Sequence, residues 1–531
     1  MKLTKLVILL LLSHVNYLSA QEMKVESISV QQFQIPVLKG KANSPVMQIR
    51  IVTSGKRKPL ILREVLMQVS GTDIQNDIQE VGVFYTENDP QLQGGIRFGI
   101  PETPTKLMAI SGHQKLVEGE NIFWVSYKLK QNANISNHVN AVCFSVTISD
   151  KKYEPKIIKK VKYLALGIAL RSHMDEGVDT YRIPGLETTN KGTLIAVYDV
   201  RKNSSVDLQE DIDVGMSRST DGGKTWEPMK IIMDMGEYGG KPNIENGIGD
   251  PSVLVDRETN TIWVAGVWAH GHAGERNWNA SQQGLKPEVT SQFILVKSED
   301  DGLTWSDPIN ITSQIKDPKW HLLLQGPGKG ITMKNGTLVF PAQFKDKKEV
   351  PHSTIIWSKN RGKNWKIGTG AKTNTTEAQV IELNDGSLML NMRDDRNRSN
   401  KSETNGRSVF ITNDLGRTWV EHPTSNGALH EPNCMASLIK ETFEIDGELR
   451  DVVLFSNPDS KQRRERMTIK ISFDDGKTWP PEYNLLLDEL DGRGYSCLTK
   501  IDNTHIGILY EGSQADLTYQ VVPIAEIIHP K

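Results

Sequence analysis

The chemistry that stands out first in this sequence is a small polar scaffold repeated five times, with a carboxylate at its third position in four of the copies. The pattern Ser-x-Asp-x-Gly-x-Thr-Trp runs from Ser219 to Trp226 and again from Ser298 to Trp305. A looser copy spans Ser358 to Trp365, with Asn360 for the Asp and Asn364 for the Thr. Further copies run from Thr412 to Trp419 and from Ser472 to Trp479. Strings of acidic loops can hold calcium, but each copy offers three carboxylates at most, where calcium takes about six to eight oxygens. An Asp-x-Gly core suits a tight turn better, because Gly tolerates positive φ and Asp accepts hydrogen bonds from nearby backbone N–H groups. The closing Trp is a large apolar plug. These aspartates are therefore assigned to turns and not to catalysis. No CxxC or HExxH spacing points to a transition metal. The three cysteines, Cys143, Cys434 and Cys497, leave at least one thiol unpaired and allow either one pair or three buried thiols.

The elements that carry these turns divide the chain. Residues 1–20 read as a secretory signal: Lys2 and Lys5, then the apolar run Leu6 to Leu12, then Ala20 before Gln21. That run is too short to cross a bilayer, and no other apolar run is long enough. Residues 22–155 lack the repeat. They show strand-like alternation at Met47–Val52 and Ile122–Leu129, and at Val142–Ile148, where Val142, Phe144, Val146 and Ile148 would share one face. This reads as a small antiparallel β-sandwich, followed by a basic linker around Lys156–Lys162; it serves either as a packing accessory or as a glycan-binding module. From 163 to 531 the chain repeats at intervals of 54 to 79 residues, each copy between β-patterned stretches, as in propeller blades. Lys+Arg total 63 against 65 Asp+Glu, a net charge of -2, which argues against nucleic acid as the partner.

The five copies resemble the Asp-boxes of sialidases, and Tyr181-Arg182-Ile183-Pro184 resembles the sialidase RIP motif. The resemblance covers residues from about 163 to 525. It implies an all-β fold in which a six-bladed β-propeller follows the small β-sandwich, with the active site at the propeller axis.

It also implies a site. Sialic acid carries a carboxylate on its anomeric carbon, and arginine forks suit a carboxylate better than lysine does. The family uses three arginines. Arg182 matches the first through the RIP motif and Arg393 the second. The third falls in Arg463-Arg464-Glu465-Arg466, where the family pattern aligns best on Arg464 while Arg466 stands where the family often has Asn. Tyr495, in Gly494-Tyr495-Ser496, matches the family nucleophile. A carboxylate in that role would be repelled by the substrate's own, and sialidases are the tyrosine exception among glycosidases. Glu377 is the expected base for Tyr495. Its rival Glu382 lies an odd number of residues away and would face the other side of a regular strand. Asp207 matches the acid/base, with Asp211 and Asp213 as rivals. Glu511 matches the glutamate that holds the first arginine, and Asp250 an aspartate on the N-acetyl and acid/base side. Trp268 and Trp278 could wall the pocket.

The activity implied is retaining exo-hydrolysis of terminal α-linked sialic acid from glycoproteins, glycolipids and oligosaccharides, through a covalent sialyl-tyrosine. No metal or organic cofactor is implied, and no membrane insertion. The signal places the protein in the periplasm or outside the cell. A non-catalytic glycan-binding propeller would lose Tyr, Glu or Asp from this set, and all three are present. Transfer of the sialyl group to a sugar or to the substrate's own hydroxyl stays open, as does linkage preference.

Overall fold

The computed structural model describes residues 21–89, 92 and 94–529; the expected export segment, 1–20, lies outside the described residues. The chain is all-β, with only short helical turns.

Two sheets form the N-terminal part. One joins Lys156–Lys159, Lys24–Gln31, Ser44–Ser54, Gly119–Leu129, Ile78–Tyr85 and Ile96–Glu102. The other runs through His138–Ile148, Ile61–Gly71 and Leu107–Lys115. They pack over one core, in which Ile49, Val81 and Val125 of the first sheet meet Val65, Met67 and Val146 of the second. Two sequence expectations change here. Val142 and Phe144 do not share the buried face of Val146 and Ile148. The pairing steps from Leu66↔Ser145 to Met67↔Cys143, so Phe144 bulges out of register. Such a bulge reverses which side chains face inward, leaving Phe144 exposed while Ala141, Cys143 and Val146 are buried. The basic stretch is not only a linker either. Lys156–Lys159 pairs in parallel with Lys24–Gln31, and Lys159 forms an ion pair with Glu489.

Six further sheets follow, each with a four-stranded antiparallel path. The first is Thr180–Thr188, Leu194–Arg201, Ile212–Ser219 and Lys230–Met233; the second is Ile248–Val255, Ile262–Trp268, Gln292–Ser298 and Ile309–Asn310. The third is Leu322–Gln325, Leu338–Lys345, Pro351–Ser358 and Lys366–Ile367; the fourth is Thr375–Glu382, Leu388–Asp394, Ser408–Thr412 and Val420–Glu421. The fifth is Ser437–Ile445, Glu448–Pro458, Met467–Ser472 and Leu485–Asp488. The sixth takes Ser496–Lys500, His505–Tyr510 and Leu517–Pro523 from the end of the chain and Leu164–Arg171 from before the first sheet. Leu164–Arg171 also pairs with His138–Ile148, so hydrogen bonding is continuous into the N-terminal part. Inner strands such as Leu194–Arg201 are buried along their whole length. That is why residues 194–198 form an unbroken apolar run: both faces are covered by neighbouring sheets.

Each repeated turn joins the third strand of a sheet to its fourth. Asp221 accepts from the Thr225 amide at 3.0 Å, from the Thr225 hydroxyl at 2.6 Å and from Ser219 Oγ at 2.9 Å. Asp300, Asp414 and Asp474 repeat the set, and these donors hold Asp300 and Asp414 down at about 2. Gly223, at φ +85°, has a second reason to be Gly: a Cβ there would stand 2.2 Å from the Tyr519 ring. The Asp staples its own turn, but the Trp serves the gap between sheets. Trp226 packs with the sixth and first sheets, Trp305 with the first and second, and Trp365 with the second and third. Trp419 packs with the third and fourth, and Trp479 with the fourth and fifth. Between the fifth and sixth, Leu454 and Ile469 meet Ile506 and Ile508 without such a Trp. Contacts thus pass from each sheet to the next and from the sixth back to the first. The three cysteines are buried free thiols.

Candidate active site

The first strands of three sheets break register at corresponding places. Pairing shifts between Arg182 and Gly185, between Gly249 and Ser252, and between Thr375 and Ala378. Ile183 and Asp250 lie at φ +57°, a region a β-branched residue rarely enters. Such bulges re-aim side chains away from the strand faces, and here Arg182, Asp250 and Glu377 all line one cleft. The strain at Ile183 is held by a hydrogen bond from its amide to Glu511, at 3.0 Å.

Glu511 organises the floor. It is fully buried and takes Arg182 Nε at 2.9 Å, Arg182 Nη2 at 3.2 Å and the Tyr495 amide at 3.1 Å in addition to Ile183. Burial would raise its pKa, but Arg182 and the backbone donors outweigh burial and hold it below the usual carboxylate range. One carboxylate therefore fixes both the first arginine and the backbone of Tyr495.

The Tyr495 hydroxyl donates to Glu377 in a short hydrogen bond and accepts from Arg393 Nη1 at 3.2 Å. Arg393 also donates to Glu377 at 2.6 Å. The Arg182 and Arg464 guanidinium groups lie 5.3 Å and 5.6 Å from the Tyr495 ring centroid. Burial and the charge of Glu377 push the phenol well above its ordinary pKa, against the pull of Arg393 and Arg464. At rest the phenol is neutral, with its proton directed at a carboxylate.

The choice among the three clustered arginines is made by position. Arg464 lines the cleft. Arg463 points outward, 65% exposed, and pairs with Asp491. Arg466 closes a turn at φ +61° and does not line the cleft. Arg182 has Glu511 and Arg393 has Glu377 as partners. Arg464 instead donates to the carbonyls of Arg493 (2.9 Å) and Asn433 (3.4 Å), with no carboxylate in ion-pair range among the described residues. Of the three guanidinium groups, Arg464 is thus the one left without a carboxylate partner and open to an anionic ligand.

Asp207 stands on the loop after Leu194–Arg201, its side chain 57% exposed, with Arg201 Nη1 at 2.7 Å and Arg182 Nη1 at 3.7 Å. Burial opposes ionisation, but Arg201 and Arg182 prevail and hold its carboxyl below the usual range. Burial, with Asp199 and Asp207 nearby, pushes Asp250 well above that range, toward the neutral acid. The rivals are elsewhere engaged. Asp211 and Asp213 pair with Lys202, at 3.5 Å and 2.7 Å, and Glu382 accepts from the Lys334 amide at 2.7 Å. Trp278 lines the cleft, whereas Trp268 is buried against Tyr238 and His270 and walls nothing. Its strand faces the core at that point.

Sequence reasoning missed the residues that hold these groups. Arg201, itself buried, is clamped by Asp199 at 3.1 Å and 2.8 Å, and Asp199 also accepts the Asp250 amide at 2.7 Å. Asn433 accepts twice from Arg393 and offers its carbonyl to Arg464. The alternation of Asp199 and Arg201 on one strand face was a signal for the first pair; Asn433 had none.

Known proteins resemble this chain along both of its parts. Residues 183–480 match the BNR repeat-like domain, and residues 25–152 match the N-terminal domain of BNR-repeat neuraminidase. A sialidase of Bacteroides fragilis (strain YCH46) is 44% identical over 95% of this chain and 96% of its own length. A Clostridium perfringens sialidase is 31% identical over 64% of this chain and 88% of its own. The solved structure of Hadza microbial sialidase Hz136 superposes with a TM-score of 0.86 at 42% identity, covering 93% of this chain and 99% of that one. With both segments matched and near-full-length similarity at this level, the chain belongs to the BNR-repeat sialidase (neuraminidase) family of glycoside hydrolases.

Proposed function

We propose that this protein is an exported, retaining exo-sialidase that releases terminal α-linked sialic acid through a covalent sialyl-tyrosine. The observation that carries the proposal is the Tyr495 hydroxyl hydrogen-bonded to Glu377 among three arginines, one of them without a carboxylate partner. In this reading the substrate carboxylate sits on Arg182, Arg393 and Arg464. Tyr495 Oη attacks the anomeric carbon and its proton passes to Glu377, so no negative nucleophile has to approach the substrate carboxylate. The glycosidic C–O bond breaks as Asp207 protonates the leaving oxygen. Water then attacks the same carbon, giving its proton to Asp207, while the Tyr495 oxygen leaves and recovers its proton from Glu377. Two displacements at one carbon retain configuration.

Asp207 is held ionised in the free protein by Arg201 and Arg182. A substrate carboxylate on Arg182 cancels part of that field and excludes water, and both effects raise the Asp207 pKa toward that of a working acid. Neutral Asp250 adds no further negative charge beside it.

We read the six successive sheets as the blades of a β-propeller, the repeated turns as Asp-boxes and the unit before residue 163 as a β-sandwich that packs against the sixth blade. Its continuous hydrogen bonding through Leu164–Arg171 favours an accessory role over a separate binding module. The signal-like start favours the periplasm or the cell exterior. Product analysis on 3'- and 6'-sialyllactose, with the first anomer followed by NMR, tests activity and stereochemistry together. Initial release of the α-anomer is the expected result; the β-anomer as first product contradicts the two-step route.

A further inference from the structure

The cleft has a volume of about 470 Å³, within the roughly 300–1,000 Å³ of ordinary small-molecule pockets. Its arginine half accounts for the sialic acid. The remainder is bounded by the segment Arg276–Asn279, which connects the second and third strands of the second sheet. That segment is tied to the loop of Asp207. The Asn277 amide donates to the Leu208 carbonyl at 2.7 Å, and the Gln209 amide donates to the Glu275 carbonyl at 3.3 Å. Asn277 is buried, its side-chain oxygen accepting from Ser291 Oγ at 2.6 Å.

On this base stands Trp278. Its indole is 36% exposed although it is one of the largest apolar side chains on the cleft wall. It has its own support: buried Lys345 donates to the Trp278 carbonyl at 2.9 Å and places its ammonium 5.5 Å from the ring centroid. An exposed aromatic ring held in this way offers a flat apolar face at little cost in conformational entropy.

We propose that Trp278 is the platform for the first sugar of the aglycone, a pyranose with one apolar face such as galactose or an N-acetylhexosamine. Arg276 and Asn279 on the same wall supply donors to its hydroxyls. The inference rests on Asp207 as the acid. A group that protonates the leaving oxygen must lie beside the bond to the aglycone, so a segment clipped to the Asp207 loop borders the leaving-group side. Trp278 is thus a specificity residue, remote from the reacting carbon.

The test is a kinetic split on the full-length enzyme. Trp278→Ala should raise KM for sialyllactose about tenfold with kcat changed much less, because a rim contact of this kind serves ground state and transition state alike. Affinity for 2,3-didehydro-2-deoxy sialic acid, which has no aglycone, should stay within twofold of wild type. Trp278→Phe should recover most of the loss. An unchanged KM for sialyllactose in Trp278→Ala overturns the inference, as does parallel weakening of sialyllactose and the aglycone-free analogue. A wild-type enzyme that cleaves no sialoside, even an aryl one, would overturn the sialidase reading itself and the platform with it.

Discussion

Removing the Asp207 carboxyl separates acid catalysis from every other contribution in the site. The side chain is 57% exposed and forms no part of an apolar cluster, so Asp207→Ala leaves the core intact. Arg201 keeps Asp199, and Arg182 keeps Glu511. The expected damage is therefore chemical. A positioned general acid contributes about 10²–10⁴-fold when the leaving group needs the proton, and each tenfold corresponds to about 1.4 kcal/mol of barrier. A sugar alkoxide needs it; a nitrophenolate or methylumbelliferolate does not. On sialyllactose the variant should lose about 10²–10⁴ in kcat, or roughly 3–5 kcal/mol. On the aryl sialoside it should lose less than about tenfold. The pH dependence has a definite sign. Asp207 works protonated in the complex, so wild-type kcat on sialyllactose falls as pH rises through its pKa there; the variant should lack that descending limb. Its free-state pKa is held below the usual range, so on kcat/KM the same group should titrate at lower pH. Stopped-rate assays of both substrates across pH measure all of this. Equal damage to the two substrates, or a descending limb kept in the variant, refutes acid catalysis by Asp207.

Tyr495→Phe should fold normally, since the ring stays between Arg182 and Arg464, yet lose roughly three orders of magnitude or more in kcat; near-normal turnover on the aryl sialoside would remove Tyr495 as nucleophile. In an alanine scan of Arg463, Arg464 and Arg466, only Arg464→Ala should weaken binding of a sialic acid analogue by about thirtyfold or more, as expected for a charge facing a carboxylate, while the exposed Arg463→Ala changes it less than about threefold. Calorimetric titration of the three variants checks this. Asp474→Ala removes three hydrogen bonds from an exposed turn and should lower Tm by a few degrees, at about 1–2 kcal/mol, with turnover per folded molecule unchanged; native melting with lost activity would give the turn a chemical role. The turn carboxylates also set an acid limit. Asp300 and Asp414 titrate at about 2 in the folded state against about 3.9 unfolded, so their stabilisation is complete above the unfolded value and is lost as pH falls toward 2. Asp300→Asn should flatten the fall of Tm in that window.

The amino-acid sequence by itself determined the repeating architecture and the chemical inventory. Turn geometry is local: Asp221 accepts from Ser219 and Thr225, and the Gly223 amide donates to Ser219, so an eight-residue pattern suffices to recognise it. What stayed hidden depends on partners distant in the chain. Arg464 and Arg463 are adjacent in sequence and chemically identical; only the fold turns one over the Tyr495 ring and the other toward Asp491. Trp268 and Trp278 looked equivalent until one proved to face the core and the other the cleft. The bulge at Phe144 inverted a face that alternation had assigned, because one extra residue in a strand is invisible without its partner. Arg201, Asp199 and Asn433, which aim the acid and the arginines, could not be ranked among the other polar residues. Their task is set by hydrogen-bond geometry, and a short-range force between residues far apart in sequence acts only after the sheets have closed around the site.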